Sequence, residues 1–147
     1  TDEFGKRVIF SAHPRTRKRC EDFGLPVPKT VDFIKPLGFL DYIHLQQNAF
    51  CVVSDSGTIT EEASILGFPA VMIRDAHERP EGMDEGATIM AGLDRNRIID
   101  AVRTTTGQDS ANFKAPTDYD ASNVAAKVVR IIMSYTDFVR RTVWREA

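Results

Sequence analysis

The order of elements in this chain predicts an α/β fold: a Rossmann-like, doubly wound parallel sheet flanked by helices. Three observations carry that expectation. Short apolar runs alternate with helical segments along most of the 147 residues. Two of the runs, FCVVSD and PAVMI, are uninterrupted in the way of strands buried on both faces of a parallel sheet. The unusual polar residues stand just after such runs, at strand carboxyl ends, where sheets of this kind bind ligands.

The elements follow in order. RVIFSA (residues 7–12) is apolar with β-branched residues and predicts a buried strand. A polar segment over 14–23 predicts a helix, ended by Gly24 and the prolines at 26 and 28. TVDFI (30–34) is a weaker strand, and GFLDYIHLQQNA (38–49) sets Phe39, Ile43, Gln46 and Gln47 at helical spacing. FCVVSD (50–55) is the next strand, then a helix over TITEEASIL (58–66), stopped by Gly67 and Pro69. PAVMI (69–73) is another buried strand, ATIMAG (87–92) a short last one, and RNRIIDAVRTT (95–105) a short amphipathic helix. Residues 106–121 are polar and turn-rich, a surface loop. From Ser122 a long helix carries Val124, Val128, Ile131, Ile132 and Tyr135 on one stripe. Residues 1–121 therefore read as one α/β domain and 122–147 as a C-terminal helix. No internal repeat or low-complexity tract interrupts this order.

Composition excludes several classes. Apolar residues at 42% and charged residues at 27% are an ordinary globular balance, neither disordered nor membrane-embedded. A net charge of -2 argues against nucleic acid as the main partner, so the basic run Arg15, Arg17, Lys18, Arg19 needs a smaller anion or none. No apolar stretch approaches the ~20 residues that span a bilayer, and no signal peptide is visible, so the cytoplasm is the default. Cys20 and Cys51 make no C-x-x-C or Cys/His spacing, so neither a zinc site nor a disulfide framework is indicated. Cys51, inside AFCVV, reads as a small buried hydrophobe. The opening TDEFGKRVIF lacks an initiator Met and reaches a strand almost at once, as a fragment or a trimmed chain would.

The first chemical candidate is the junction Ser54, Asp55, Ser56, Gly57, Thr58. A helix start offers unpaired N–H groups and a positive dipole end to a phosphate. Gly57 lets a ligand approach the backbone, and the hydroxyls of Ser56 and Thr58 can donate to phosphoryl oxygens. The plainer reading of Thr58 and Glu61 is a capping box, T-x-x-E, with no ligand at all. Glu62 borders the packed face formed by Ile59, Ala63 and Leu66, so its carboxylate needs a partner. It stands about 7 to 8 Å up the helix, roughly the step from a diphosphate to a ribose whose hydroxyls could donate to it. A partly exposed helix glutamate remains the alternative.

The second candidate is the run 74–82, directly after PAVMI, with Arg74 and Arg79 able to pair with phosphate or to fix the loop through Asp75 and Glu78. On composition a solvated charged loop is the simpler reading. His13, in SAHPRTRKR, also ends a strand and could donate to a diphosphate or move a proton. A lone histidine is more often structural, and the arginines after it more often a solvated face.

Together these residues resemble a known family. The block VVSDSGTITEEASILGFPAVMIRDAHERPEGMDEGATIMAG (52–92) is similar to the non-hydrolysing UDP-N-acetylglucosamine 2-epimerases, with a DSGG-like turn, then EE, then a small residue before x-LG-x-P, then R-D-x-x-E-R-P-E. The resemblance runs from His13 to the end, and the closing SYTDFVRRTVW is similar to a branch serving capsule and O-antigen precursors. It implies a two-domain glycosyltransferase-B-type fold, with this chain as most of the C-terminal half and UDP-sugar held between the halves. It implies that Ser56 and Gly57 contact the diphosphate, Glu62 the ribose hydroxyls, and Arg79 and His13 the phosphoryl region, with Arg15 also among the UDP-binding residues. Tyr42 falls where the family places an aromatic whose backbone reads uracil. The resemblance also implies that UDP is eliminated to a glycal and added back with C2 inverted. His13 would assist, the main acid/base carboxylates belonging to the N-terminal half, and no cofactor or metal is implied. A homodimer is the usual state, and the last helix is expected to cross to the missing N-terminal domain.

Two departures from the family pattern stand out. The glycine-rich H-R-R-E-N-like segment is absent, and Thr58 replaces the second turn glycine. The isolated chain is expected to bind weakly and not to turn over. A glycosyltransferase of the same fold and a non-catalytic nucleotide-sugar-binding module are the alternatives. The tail residues Tyr135, Phe138, Val139, Val143 and Trp144 form an apolar set large for a finished surface, either packed on this domain or reaching the other half.

Overall fold

A computed structural model describes residues 1–109, 112, 113 and 115–146. The chain forms two compact units, Thr1–Ala115 and Pro116–Ala147. In the first, strands and helices alternate as β1 (Val8–Ser11), α1 (Pro14–Asp22), β2 (Val31–Ile34), α2 (Phe39–Gln47), β3 (Val52–Ser54), α3 (Ile59–Leu66), β4 (Ala70–Met72), α4 (Pro80–Asp84), β5 (Ile89–Met90) and α5 (Arg95–Gly107). Every strand pairing is parallel. The α/β class and all five strands predicted from the apolar runs are present.

The strands do not form one doubly wound sheet. β1 pairs with β2, from Val8 opposite Val31 to Ser11 opposite Ile34, while β3, β4 and β5 form a second sheet in that order. The reason lies in strand length and burial. Each ladder spans four residues or fewer. Val8, Ile9 and Phe10 of β1 are exposed rather than buried as expected. β3 is likewise shorter than FCVVSD, and Val53 at 45% exposure leaves one of its faces open. An apolar run shows that a strand wants burial, but its neighbours decide whether burial is complete.

Only β4 meets the two-faced expectation, with all three residues buried. Ala70 and Met72 face Ile59, Ala63 and Phe68, with Val52, Leu66 and Met90 at the margin. Val71 points the other way, into Ala91, Ala101 and Val102. This alternation is what a strand's two-residue period produces when helices cover both sides. α3 ends as its sequence predicts: Gly67 takes φ +71°, and its N–H donates to the Ala63 carbonyl at 2.8 Å.

Two further differences concern loops. The charged run after β4 contains α4, opened by Pro80 at its first turn with Gly82 buried. A proline at N1 is a helix-start signal that the charges around it obscured. The polar stretch 106–121 is not wholly loop, since α5 continues to Gly107 and Thr117–Asp120 form a 3-10 turn. The rest of that loop expectation falls in part on residues 110, 111 and 114, outside the described residues.

The second unit is dominated by α6 (Val124–Val139), followed by a π-helical turn, Arg140–Trp144. The predicted stripe of Val124, Val128, Ile131, Ile132 and Tyr135 is exposed along α6, as are Phe138, Val143 and Trp144. Tyr135 and Phe138 stack edge to face, with ring centroids 6.1 Å apart. None of the described residues is in a helix long and apolar enough to cross a membrane.

Candidate functional site

The turn between β3 and α3 is closed by its own hydroxyls. The Ser56 N–H donates to Ser54 Oγ at 3.0 Å, and Ser56 Oγ lies 2.9 Å from Thr58 Oγ1. Thr58 Oγ1 donates to Glu62 Oε1 at 2.7 Å. The expected capping box is therefore not formed. Thr58 has helical φ and ψ, -76° and -10°, and makes no side-chain cap bond. A capping box needs an extended N-cap whose hydroxyl accepts from the backbone N–H three residues on, while the glutamate there reaches back to the N-cap N–H. Here the hydroxyl donates to the Glu62 carboxylate instead of accepting from a backbone N–H. Glu61 is also taken elsewhere, pairing with Arg79 Nε at 2.8 Å.

Glu62 has a second donor, Gln46 Nε2 on α2, 2.7 Å from its Oε2. Gln46 is only 2% exposed. The spacing of Phe39, Ile43, Gln46 and Gln47 predicts the helix, but nothing in the sequence alone ties Gln46 to Glu62. Tyr42, one turn before Gln46, completes the group. Burial raises the pKa of its phenol, and the carboxylates of Glu62 and Asp55 raise it further.

Gly57 faces two guanidinium groups. A Cβ built on it would stand 2.8 Å from Arg79 Nη1, 3.3 Å from Arg74 Nη1 and 3.4 Å from Glu78 Oε2. The charged loop after β4 is thus folded over the turn rather than solvated at large. Glu78 holds Arg74 through a 2.8 Å ion pair, and that bond lowers the Glu78 pKa. Arg74 stands with Arg79 beside Gly57.

The basic segment after β1 is arranged differently. His13 caps α1, its Nδ1 accepting from the Arg15 N–H at 3.2 Å, which leaves Nε2 as the outward N–H. Both residues are exposed. Arg17 is structural: it donates to the Phe33 carbonyl at 3.3 Å and lies 4.7 Å from the Phe33 ring centroid. Of the sequence candidates, then, Tyr42, Ser56, Gly57, Glu62 and Arg79 gather around one turn, while His13 and Arg15 sit at the end of β1. Thr58 and Arg74, named at the same two strand ends, belong to the first group, and Gln46 joins it. Among the described residues, no cluster of three His, Cys, Asp or Glu could hold a metal ion.

Parallel sheets between helices, with polar side chains gathered at strand carboxyl ends, define an α/β protein of the ligand-binding Rossmann-like class. The chain belongs to the UDP-N-acetylglucosamine 2-epimerase family, whose sequence description it matches over residues 2–133. It is similar to the UDP-N-acetylglucosamine 2-epimerase of Rickettsia bellii, whose structure superposes with a TM-score of 0.79 at 47% identity, over 99% of this chain and 41% of that one. The Methanocaldococcus jannaschii UDP-N-acetylglucosamine 2-epimerase is 36% identical over 133 residues, 88% of this chain and 36% of that protein. A crystal structure of that enzyme in complex with UDP-GlcNAc and UDP also superposes with a TM-score of 0.79, at 35% identity, over 90% of this chain and 37% of that one. This chain spans well under half the length of these relatives.

Proposed function

We propose that this chain is the UDP-binding C-terminal half of a two-domain, glycosyltransferase-B-type UDP-N-acetylglucosamine 2-epimerase. The observation that supports it best is the joining of two features by one hydroxyl. Thr58 links Ser56, in a turn faced by Arg74 and Arg79, to Glu62, a carboxylate one helical turn away. A diphosphate seated on the turn would meet Ser56, the Gly57 backbone and the two guanidinium groups. Its ribose would then lie toward Glu62, and its uracil toward the Tyr42 backbone. The relative crystallised with UDP-GlcNAc and UDP supports the choice of ligand.

In this reading the chemistry is removal of UDP from the sugar, giving a glycal, and its return with C2 inverted. The residues here hold the leaving diphosphate. Arg74 and Arg79 offset the charge that builds on it as the C1–O bond breaks. His13, with Nε2–H outward and Arg15 beside it, assists at the phosphoryl region. The acid/base carboxylates would come from the N-terminal half, placing the sugar between the two. The exposed apolar stripe of α6, with Phe138, Val143 and Trp144, would cross to that half, making residues 122–147 a bridge rather than part of the 1–121 domain. The assembled enzyme is a cytoplasmic homodimer that uses no cofactor.

Calorimetry of the full-length protein with UDP tests the reading, together with proton NMR of UDP-N-acetylglucosamine for inversion at C2. Binding and inversion are expected. Saturable UDP binding without inversion would reassign the chain to a non-catalytic or glycosyl-transferring protein, and no binding would remove the nucleotide reading altogether.

A further inference from the structure

Gln46 poses a physical problem that UDP binding by itself does not solve. Its Nε2 donates to Glu62, but its Oε1 is buried with no hydrogen-bond partner among the described residues. An orphaned buried carbonyl destabilises a fold, and an apolar side chain of the same size would remove the cost. A glutamine kept there answers to something other than packing.

The answer lies in how the Glu62 carboxylate is held. Thr58 donates to Oε1 and Gln46 to Oε2, each at 2.7 Å and each from a different element. A carboxylate oxygen has two acceptor directions. One on each oxygen is used by the protein, and one on each stays open. The two bonds also hold the group against rotation, so the remaining acceptor direction on each oxygen keeps a fixed orientation. That is a receptor for two neighbouring hydroxyls, one to each oxygen, and it gains little from a single hydroxyl.

We propose that Gln46 and Thr58 are positioning residues that fix Glu62 as a vicinal-diol receptor, and so make the site select ribonucleotides over 2′-deoxyribonucleotides. The inference rests on the UDP reading above and adds the basis of sugar selection to it. Thr58 stands where a DSGG-type turn has glycine, so in this chain one side chain serves both the turn and the diol receptor.

The test is calorimetric titration of the full-length protein with UDP and with 2′-deoxy-UDP, for wild type, Gln46→Leu and Thr58→Val. Wild type should prefer UDP. In each variant UDP affinity should fall about tenfold, the scale of a lost hydrogen bond to a charged group, while 2′-deoxy-UDP affinity moves by less than about twofold. The melting temperature of Gln46→Leu should not drop, since the orphaned carbonyl is gone. A structural role for Gln46 predicts the reverse pattern, with lost stability and unchanged preference. Thr58 is exposed, so Thr58→Val decides the matter if Gln46→Leu does not fold. Equal weakening of both nucleotides, or a variant that keeps the full preference, overturns the proposal. So does a wild type that binds both nucleotides equally, and that result leaves the UDP reading standing. A wild type that binds neither defeats the UDP reading itself, and this inference with it.

Discussion

The Arg79 guanidinium lies 2.8 Å from the point where a Cβ on Gly57 would stand. The glycine thus makes room for a side chain of this protein as well as for any ligand. Gly57→Ala would push the tip of Arg79 aside. Because that tip is the far end of a flexible side chain, the fold should tolerate the change with a small shift in melting temperature. UDP affinity should fall by about 1.5–3 kcal/mol, the range for a lost charged hydrogen bond. Calorimetry and thermal denaturation on the same variant separate the two effects. A large loss of stability would show that the turn's backbone moves instead.

Glu62→Ala removes the acceptor shared by Thr58 and Gln46. Weaker UDP binding, by about 1.5–3 kcal/mol, is expected in the full-length protein. Unchanged affinity would count against a ribose contact. Stability should also fall modestly, since the buried Gln46 amide loses its one described partner.

Met72 sits at the centre of the α3-facing core, 1% exposed. Met72→Ala should destabilise by about 2–5 kcal/mol, combining lost transfer energy with the cavity left behind. Denaturant titration measures it directly. The same truncation at Val53, on the open face of β3, should cost far less, and equal losses would mean that β3 is covered on both faces.

Burial pushes the Cys51 thiol up to about 11. At pH 8 its thiolate fraction should be roughly a hundredth of that of an unshifted thiol, so alkylation by iodoacetamide should be slow to match. The linkage has a definite sign. A thiol whose folded pKa is raised keeps its proton while the unfolded state loses one. Its contribution therefore falls as pH rises from the ordinary value of 9.0 toward 11. Mass spectrometry of alkylation against pH checks the first statement, and melts across that window the second.

Much of this molecule is legible in its sequence. Apolar runs place all five strands, helical spacing places five of the six helices, and Gly67 marks the end of α3, because these signals depend on local backbone geometry and on a residue's own need for burial. Motif order also brings Ser56, Gly57, Glu62, Arg74 and Arg79 into view at two strand ends. The tertiary structure decides what those residues do to one another. It divides the strands between two sheets, turns Thr58 from a backbone cap toward Glu62, sends Glu61 to Arg79, and buries Gln46 beneath the carboxylate. Each outcome is a choice among competing partners within a few ångströms, and the spacing of residues along one chain does not rank partners that arrive from different elements.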